Sequence, residues 1–371
     1  MRAYLDNAAT TAVLPEAAQA AVRVMTEWYG NPSSLHPMGR QAREILQKAR
    51  EQVARAAACA PECLVFTSCG TESINTALRA AARKNRHLGR HILSTAVEHD
   101  ATLNTLKALG QEGFEVTLVP PGRDGEVSAQ ALCAALRPDT VLLSLMAVNN
   151  ETGAVLPVSE AAAAAKKINP AALVHVDGVQ ALCKQPLRLE NVDMASFSAH
   201  KIGGMKGCGA LYIRKGLSIA PLLQGGGQEN GLRSGTEGMP QIAAFGAACE
   251  VRTKSMERDI AHMRALRERL TAGARALGAV INSPENAAPH IVNLSMQRGR
   301  SEVYIRVLGE QGICVSGGSA CTRGRASHVL QAQRLPKGNI DAALRVSLCP
   351  ETTAEMADAF LAALEQAAKL F

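Results

Sequence analysis

The sequence predicts an α/β fold: a large domain with a mostly parallel seven-stranded sheet flanked by helices, plus a smaller α+β domain. Three observations carry this. Short apolar runs alternate with helix-period runs from residue 64 to 213, the pattern of a parallel sheet covered by helices on both faces. One long helical pattern, 241–277, then separates this part from a second with its own strands. Finally, polar residues recur just past the strand ends, where open α/β sheets bind ligands.

Taken in order, residues 2–14 hold a short strand candidate and the turn-prone Asp6-Asn7-Ala8-Ala9-Thr10-Thr11. Pro15 opens an apolar-periodic helix to about 25. Gly30-Asn31-Pro32-Ser33-Ser34 is a loop, and 40–60 a long helix with its charges on one face. The strand 64–67 runs through Ser68-Cys69-Gly70-Thr71 into a helix ending near 84. Further strands fall at 91–94, 115–119, 141–147, 173–176, 194–197 and 210–213, with helices at 102–109, 129–136 and 159–167 between them. The five-alanine run in the last of these reflects helix propensity. Past Gly225-Gly226-Gly227 the helix 241–277, rich in Arg and Glu beyond 250, reads as a connector. Strands near 279–281, 290–295, 313–316 and 343–347 complete the smaller domain. The expected division is 16–249 for the large domain, and 1–15 with 250–371 for the small one.

Composition narrows the function classes. Hydrophobic residues make up 47% and charged residues 20% of the chain, as in globular proteins. Aromatics at 3% are too scarce for a base-stacking surface. The net charge of +7 is spread over 40 basic and 33 acidic residues without a long basic run, so no nucleic-acid partner is expected, and an acidic protein partner fits the charge at least as well. No uncharged apolar run approaches the ~18 residues that signal a membrane span. Met1-Arg2-Ala3-Tyr4-Leu5-Asp6 lacks the apolar core of a signal peptide. Ten scattered cysteines without a CxxC pair suggest reduced thiols in the cytoplasm, and no metal site is expected.

The chemistry gathers at the strand ends. Thr71 follows 64–67, His99 follows 91–94, Asn149 follows 141–147, Asp177 and Gln180 follow 173–176, and Lys201 follows 194–197. Asp, Asn and Thr often serve only turns and caps, but five of the strands deliver a polar group at the same end. The Gly70-Thr71 step opens a helix, whose free N–H groups favour a phosphate. Asp177 ends an apolar strand, where a carboxylate needs a partner such as a protonated pyridine nitrogen. Lys201, among cationic neighbours, can act as a nucleophilic amine. Phosphate cradle, buried carboxylate and amine are the requirements of pyridoxal 5'-phosphate.

The chain resembles the cysteine desulfurases of the class V aminotransferase-like group, fold type I of the pyridoxal-phosphate enzymes. Ordered matches run nearly end to end: Tyr4-Leu5-Asp6-Asn7-Ala8-Ala9-Thr10-Thr11, Gly30-Asn31-Pro32-Ser33-Ser34-Leu35-His36, Phe66-Thr67-Ser68-Cys69-Gly70-Thr71-Glu72, Glu98-His99 and Asn149-Asn150-Glu151-Thr152-Gly153. They continue through Asp177-Gly178-Val179-Gln180, Ser198-Ala199-His200-Lys201, Gly225-Gly226-Gly227-Gln228-Glu229, Arg233-Ser234-Gly235-Thr236, Gly318-Ser319-Ala320-Cys321 and Ser327-His328-Val329-Leu330. The resemblance implies that Lys201 holds the cofactor covalently and moves the Cα proton. It implies that Asp177 keeps the pyridine nitrogen protonated, Gln180 bonds the phenolic oxygen, and His99 stacks on the ring and assists proton transfer. Gly70, Thr71, Ser198 and His200 would cradle the phosphate, joined by Thr236 of the partner subunit in a homodimer. Asn149 would lie beside the ring. Arg345, with Asn31 near it, would take the carboxylate of L-cysteine, a task suited to a guanidinium fork.

Cys321 is the second reactive centre. It lies in a glycine-rich run with Arg323 and Arg325 close by, and positive charge lowers a thiol pKa. The resemblance implies that its thiolate takes the sulfur of L-cysteine as a persulfide, releases L-alanine, and passes the sulfur to an acceptor or scaffold protein in iron–sulfur cluster or thiolation pathways. Selenocysteine lysis or another class V reaction on the same fold is the alternative, and it would survive loss of Cys321. Departures from the family pattern are Cys69 for a glycine, Met205 for a proline, Cys349-Pro350 for a Gly-Arg-like pair, and a shorter stretch from Cys321 to Ser327.

Overall fold

In the computed structural model, residues 3–317 and 326–371 are described. The chain begins with β1 (Ala3–Tyr4), then α1 (Pro15–Thr26) and α2 (Pro37–Ala56). Next come β2 (Leu64–Thr67), α3 (Gly70–Lys84), β3 (His91–Thr95), α4 (Asp100–Gln111) and β4 (Glu115–Val119). They are followed by α5 (Ala129–Ala135), β5 (Thr140–Met146), α6 (Val158–Ile168), β6 (Leu173–Asp177), β7 (Met194–Ser198) and β8 (Gly209–Ile213). The long α7 (Met239–Ala276) leads to β9 (Val280–Ile281), β10 (Ile291–Ser295), α8 (Ser301–Glu310) and β11 (Ile313–Cys314). After the undescribed stretch come α9 (His328–Ala332), α10 (Lys337–Asp341), β12 (Ala343–Ser347) and α11 (Ala354–Ala368).

The central sheet has the order β2-β8-β7-β6-β5-β3-β4. All neighbours are parallel except those of β8, which runs against both β7 and β2. The α/β expectation therefore holds, with one reversed strand. β3, β5, β6, β7 and β8 are buried at every position. That burial explains why they read as unbroken apolar runs rather than as alternating ones. β4 lies at the edge and keeps mixed exposure.

Two large cores meet along α7, and a third packs α3 and α4 on the sheet through Ile74, Leu78, Leu106 and Leu109. The first joins the inner faces of α1, α2 and the sheet to the opening turns of α7 through Phe245 and Cys249. The second packs the later turns of α7, through Met263, Leu266 and Leu270, against β10, β12 and α11. α7 thus belongs to both. Helix α2 starts three residues before the sequence reading places it. Pro37 occupies the first turn, where its missing N–H costs nothing, and the His36 ring accepts from Gly39 N–H. It ends early because Ala58 enters the left-handed region, at φ 53°.

The N-terminal segment is stitched beneath the sheet's carboxyl end. Thr11 N–H donates to His200 O and Leu14 N–H to Gly203 O. At Gly203 (φ 93°) a Cβ would stand 2.6 Å from Leu14 Cγ, so the close approach requires glycine.

Candidate functional site

β2, β3, β5, β6 and β7 all end on one side of the sheet, and the residues after them enclose a cavity of about 230 Å³. The buried strands hold these ends rigidly, so each polar group is presented from a fixed platform. Lys201 closes the short helical turn after β7, and its Nζ donates to Ala8 O at 2.7 Å and Ala9 O at 2.8 Å. Two carbonyls of the N-terminal segment therefore hold the amine at the cavity wall.

Asp177, the last residue of β6, is buried, and its Oδ1 accepts from Val179 N–H at 3.0 Å. Burial pushes its carboxyl up, against the opposing pull of His99, that backbone N–H and Lys201. A carboxyl so placed gains from a cationic partner in the cavity. His99 caps α4: its Nδ1 accepts from Ala101 N–H at 3.1 Å, which leaves the proton of the neutral ring on Nε2. His200 lies within hydrogen-bond distance of Thr10 Oγ1, 3.1 Å from its Nδ1. Burial, then the nearby Lys201, Lys206 and Lys184, pulls its imidazole down to about 4, so it is uncharged at neutral pH.

At the other wall, α3 begins at Gly70 without a side-chain cap. Its first-turn N–H groups face a cavity edged by Thr71, Ser198 and His200, the donor set an anion needs. A Cβ on Gly70 would stand 2.8 Å from Val179 Cγ2. Arg345 enters from β12 with only 1% of its surface exposed. Its guanidinium donates to Asn150 O at 2.9 Å and Asp6 Oδ1 at 2.8 Å, while buried Nε has no partner among the described residues.

Three expected site residues lie off this cavity. The Asn149 side chain knits its own turn, accepting from Glu151 and Thr152 N–H and donating to Val97 O. Asn31 is exposed and accepts from Ser33 N–H. Thr236 is exposed beside a separate cavity of about 170 Å³ that Cys208 and Arg233 also line. Cys321 lies outside the described residues. The chain on either side of that stretch is anchored to the cavity's surroundings. Ser316 and Arg345 exchange backbone hydrogen bonds, Ser327 Oγ donates to Glu151 Oε2 at 2.5 Å, and His328 Nε2 lies 3.0 Å from Glu98 O.

The sequence reading gave no role to Glu98 or Lys184. Glu98 is fully buried before His99, and burial, opposed by hydrogen bonds from Thr95 and Met146, pushes its carboxyl up to about 8. Its position next to His99 was the only available signal. Among the described residues no group of side chains could hold a metal ion, and no helix is long and apolar enough to cross a membrane.

Comparison with known proteins gives a consistent set of matches. The family model for class V aminotransferases matches residues 3–360. Cysteine desulfurase 2 of Trichormus variabilis is 42% identical over 359 residues, covering 94% of this chain and 89% of that protein. A solved NifS-like protein superposes with a TM-score of 0.95 at 41% identity, covering all of both chains. A solved structure of SspA in complex with cysteine superposes with a TM-score of 0.81 at 31% identity, over 95% of this chain and 100% of that one.

Proposed function

This chain belongs to the class V aminotransferase family, and from that premise we propose that it is a pyridoxal-phosphate-dependent cysteine desulfurase. It converts L-cysteine to L-alanine and leaves the sulfur as a persulfide on Cys321. The observation that carries the reading is the single cavity where Lys201, Asp177, Gln180, His99 and the Gly70 helix start converge, together with relatives named for that activity.

The residues fit the cofactor. Gly70 lets the α3 N-terminus pack against Val179, which a side chain there would push away from the cavity, and Asp177 has a buried carboxyl whose natural partner is a cationic ring nitrogen. Lys201 would hold the cofactor, Thr71, Ser198 and His200 would bind its phosphate, His99 would stack on the ring, and Gln180 would donate to the phenolic oxygen. Bound there, pyridoxal phosphate supplies an electron sink next to the substrate Cα. Lys201 moves the Cα proton, Arg345 orients the substrate carboxylate, and the Cys321 thiolate attacks the substrate sulfur. Asn149 would lie beside the ring, and Asn31 near Arg345.

The same reading includes a large cofactor-binding domain, 16–249, and a small domain of 1–15 with 250–371; the two cores that meet along α7 support this division. It includes a homodimer, in which Thr236, exposed and not lining its own chain's main cavity, suits the neighbouring copy's phosphate site. It places the protein in the cytoplasm, in keeping with nine unpaired thiols among the described residues. The persulfide then passes to an acceptor protein of iron–sulfur cluster assembly or thiolation.

Two results follow. Gly70→Ala should raise the dissociation constant for pyridoxal phosphate about tenfold or more, roughly 1.4 kcal/mol, when the cofactor is titrated into the apoprotein. Parallel assays with L-cysteine, L-selenocysteine and an α-keto acid acceptor should give L-alanine and sulfide from cysteine, in equal amounts under a thiol reductant. Turnover of selenocysteine or an α-keto acid without any from cysteine would overturn the reading.

A further inference from the structure

Near Lys201 lies another lysine, Lys184, that is buried. Lys184 stands four residues after Gln180 on the helical turn that follows β6, where Leu182 N–H donates to Gly178 O and Lys184 N–H to Ala181 O. The chain reaches it through Cys183, at φ 57°. Side chains adopt this left-handed conformation only where the surroundings hold them in it. Lys184 is consequently buried, and its Nζ donates to Gln180 Oε1 at 3.2 Å.

The other end of the same amide is also engaged. Gln180 Nε2 donates to Ala8 O at 2.9 Å, and Lys201 Nζ reaches that oxygen at 2.7 Å. The four groups form one line: Lys184, Gln180, Ala8, Lys201. Donor chemistry sets its polarity. The amine has protons to give and the backbone carbonyl can only accept, so the amide must turn its oxygen to Lys184 and its NH₂ to Ala8. Ala8 O favours the same orientation from the other end, so loss of the donor at position 184 removes one of the two constraints that hold the amide.

We propose that Lys184 is a positioning residue for the cofactor site, locking the Gln180 carboxamide so that its NH₂ is presented on the Lys201 side of the cavity. The inference rests on the pyridoxal-phosphate reading, in which Gln180 donates to the ring oxygen. The charge setting agrees with it. Burial, with Lys201 and Arg252 nearby, pulls the Lys184 amine down to about 7, against the opposing thiols of Cys349 and Cys183. His290 and His200, the other titratable groups that sense this charge, are both pulled down, chiefly by burial. An amine that sheds its charge this easily can stay buried beside Lys201 and still donate a hydrogen bond.

Two variants of the full-length protein, loaded with pyridoxal phosphate, test this. Lys184→Met keeps the length and removes the donor, whereas Lys184→Gln keeps a donor without the charge. The readout is the pH midpoint at which the visible band of the Lys201-bound cofactor is lost. A donor at the ring oxygen draws off negative charge that helps the Lys201 nitrogen keep its proton, so losing the donor raises the midpoint. The expected shift in Lys184→Met is upward by about 0.5–1 pH unit, with Lys184→Gln close to the parent. The thermal midpoint of Lys184→Met should fall modestly, because Gln180 Oε1 is left buried without its donor. An unshifted Lys184→Met, with or without a lower thermal midpoint, overturns the inference, as do equal shifts in both variants. A parent protein that gains no visible band overturns the cofactor reading itself, and the inference with it; the parent spectrum therefore separates the two failures.

Discussion

Lys201→Ala is expected to abolish the visible absorbance that the protein acquires with pyridoxal phosphate and to lower sulfide release by about 10⁴-fold. The amine has two tasks in this account, covalent attachment and proton transfer at Cα, and alanine can do neither. At ~1.4 kcal/mol per factor of ten, the loss corresponds to about 5.5 kcal/mol of barrier. The fold should survive, because Ala8 O keeps its bond from Gln180 Nε2 when the Lys201 bond is removed. Absorbance spectra and thermal melts of the two proteins check both halves. A visible band persisting in Lys201→Ala would move the attachment to the buried amine of Lys184, whose depressed pKa makes it the rival nucleophile.

Cys321→Ser is expected to separate cofactor binding from sulfur transfer. The visible band should match the parent's, since the phosphate cradle, Asp177 and Lys201 are all built without position 321. Sulfide and alanine from L-cysteine should fall by about a thousandfold or more, because serine's hydroxyl cannot take up sulfur as a persulfide. Rates measured at saturating L-cysteine make the comparison. A parent-like rate would mean that sulfur leaves without touching this residue. A residual selenocysteine activity in the variant would indicate that the cavity can still process a substrate whose leaving group departs more readily.

The sheet was legible from sequence because its strands are buried on both faces. An apolar run that stops at a polar residue locates both the strand and its end, as at β6 with Asp177 and at β7 before Lys201. The same logic does not say how Asn149 is used. That side chain also follows a buried strand, yet it spends its hydrogen bonds within the 149–153 turn, a use that Asn serves equally well. The reversed direction of β8 could not be read, since a short apolar run carries no sign of its orientation. The helices beyond residue 300 were under-read. α11 has a Thr353 cap and apolar residues at helical spacing, Ala357, Phe360, Ala363 and Leu364, a signal that the strand pattern of that region drew attention away from.

What sequence could not supply were contacts made by tertiary placement. Asp6 pairs with Arg345 across 339 residues, and no local pattern announces such a partner. Lys184 was hidden for a different reason. A lysine beside Gln and Pro reads as a surface residue, and it faces inward only after Cys183 takes a positive φ that its side chain does not favour. Ser327 and Glu151 likewise meet from opposite parts of the chain, fixing one flank of the Cys321 stretch against the cavity.

The central claim is that Lys201 and Cys321 act in sequence on one L-cysteine molecule. Mass measurement of the Cys321 peptide after brief exposure to L-cysteine, without reductant, tests it most directly. The account predicts one added sulfur atom on that peptide in the parent protein, an equivalent amount of L-alanine, and neither in Lys201→Ala. An unmodified Cys321 peptide in parent protein that is steadily forming alanine and sulfide would contradict it.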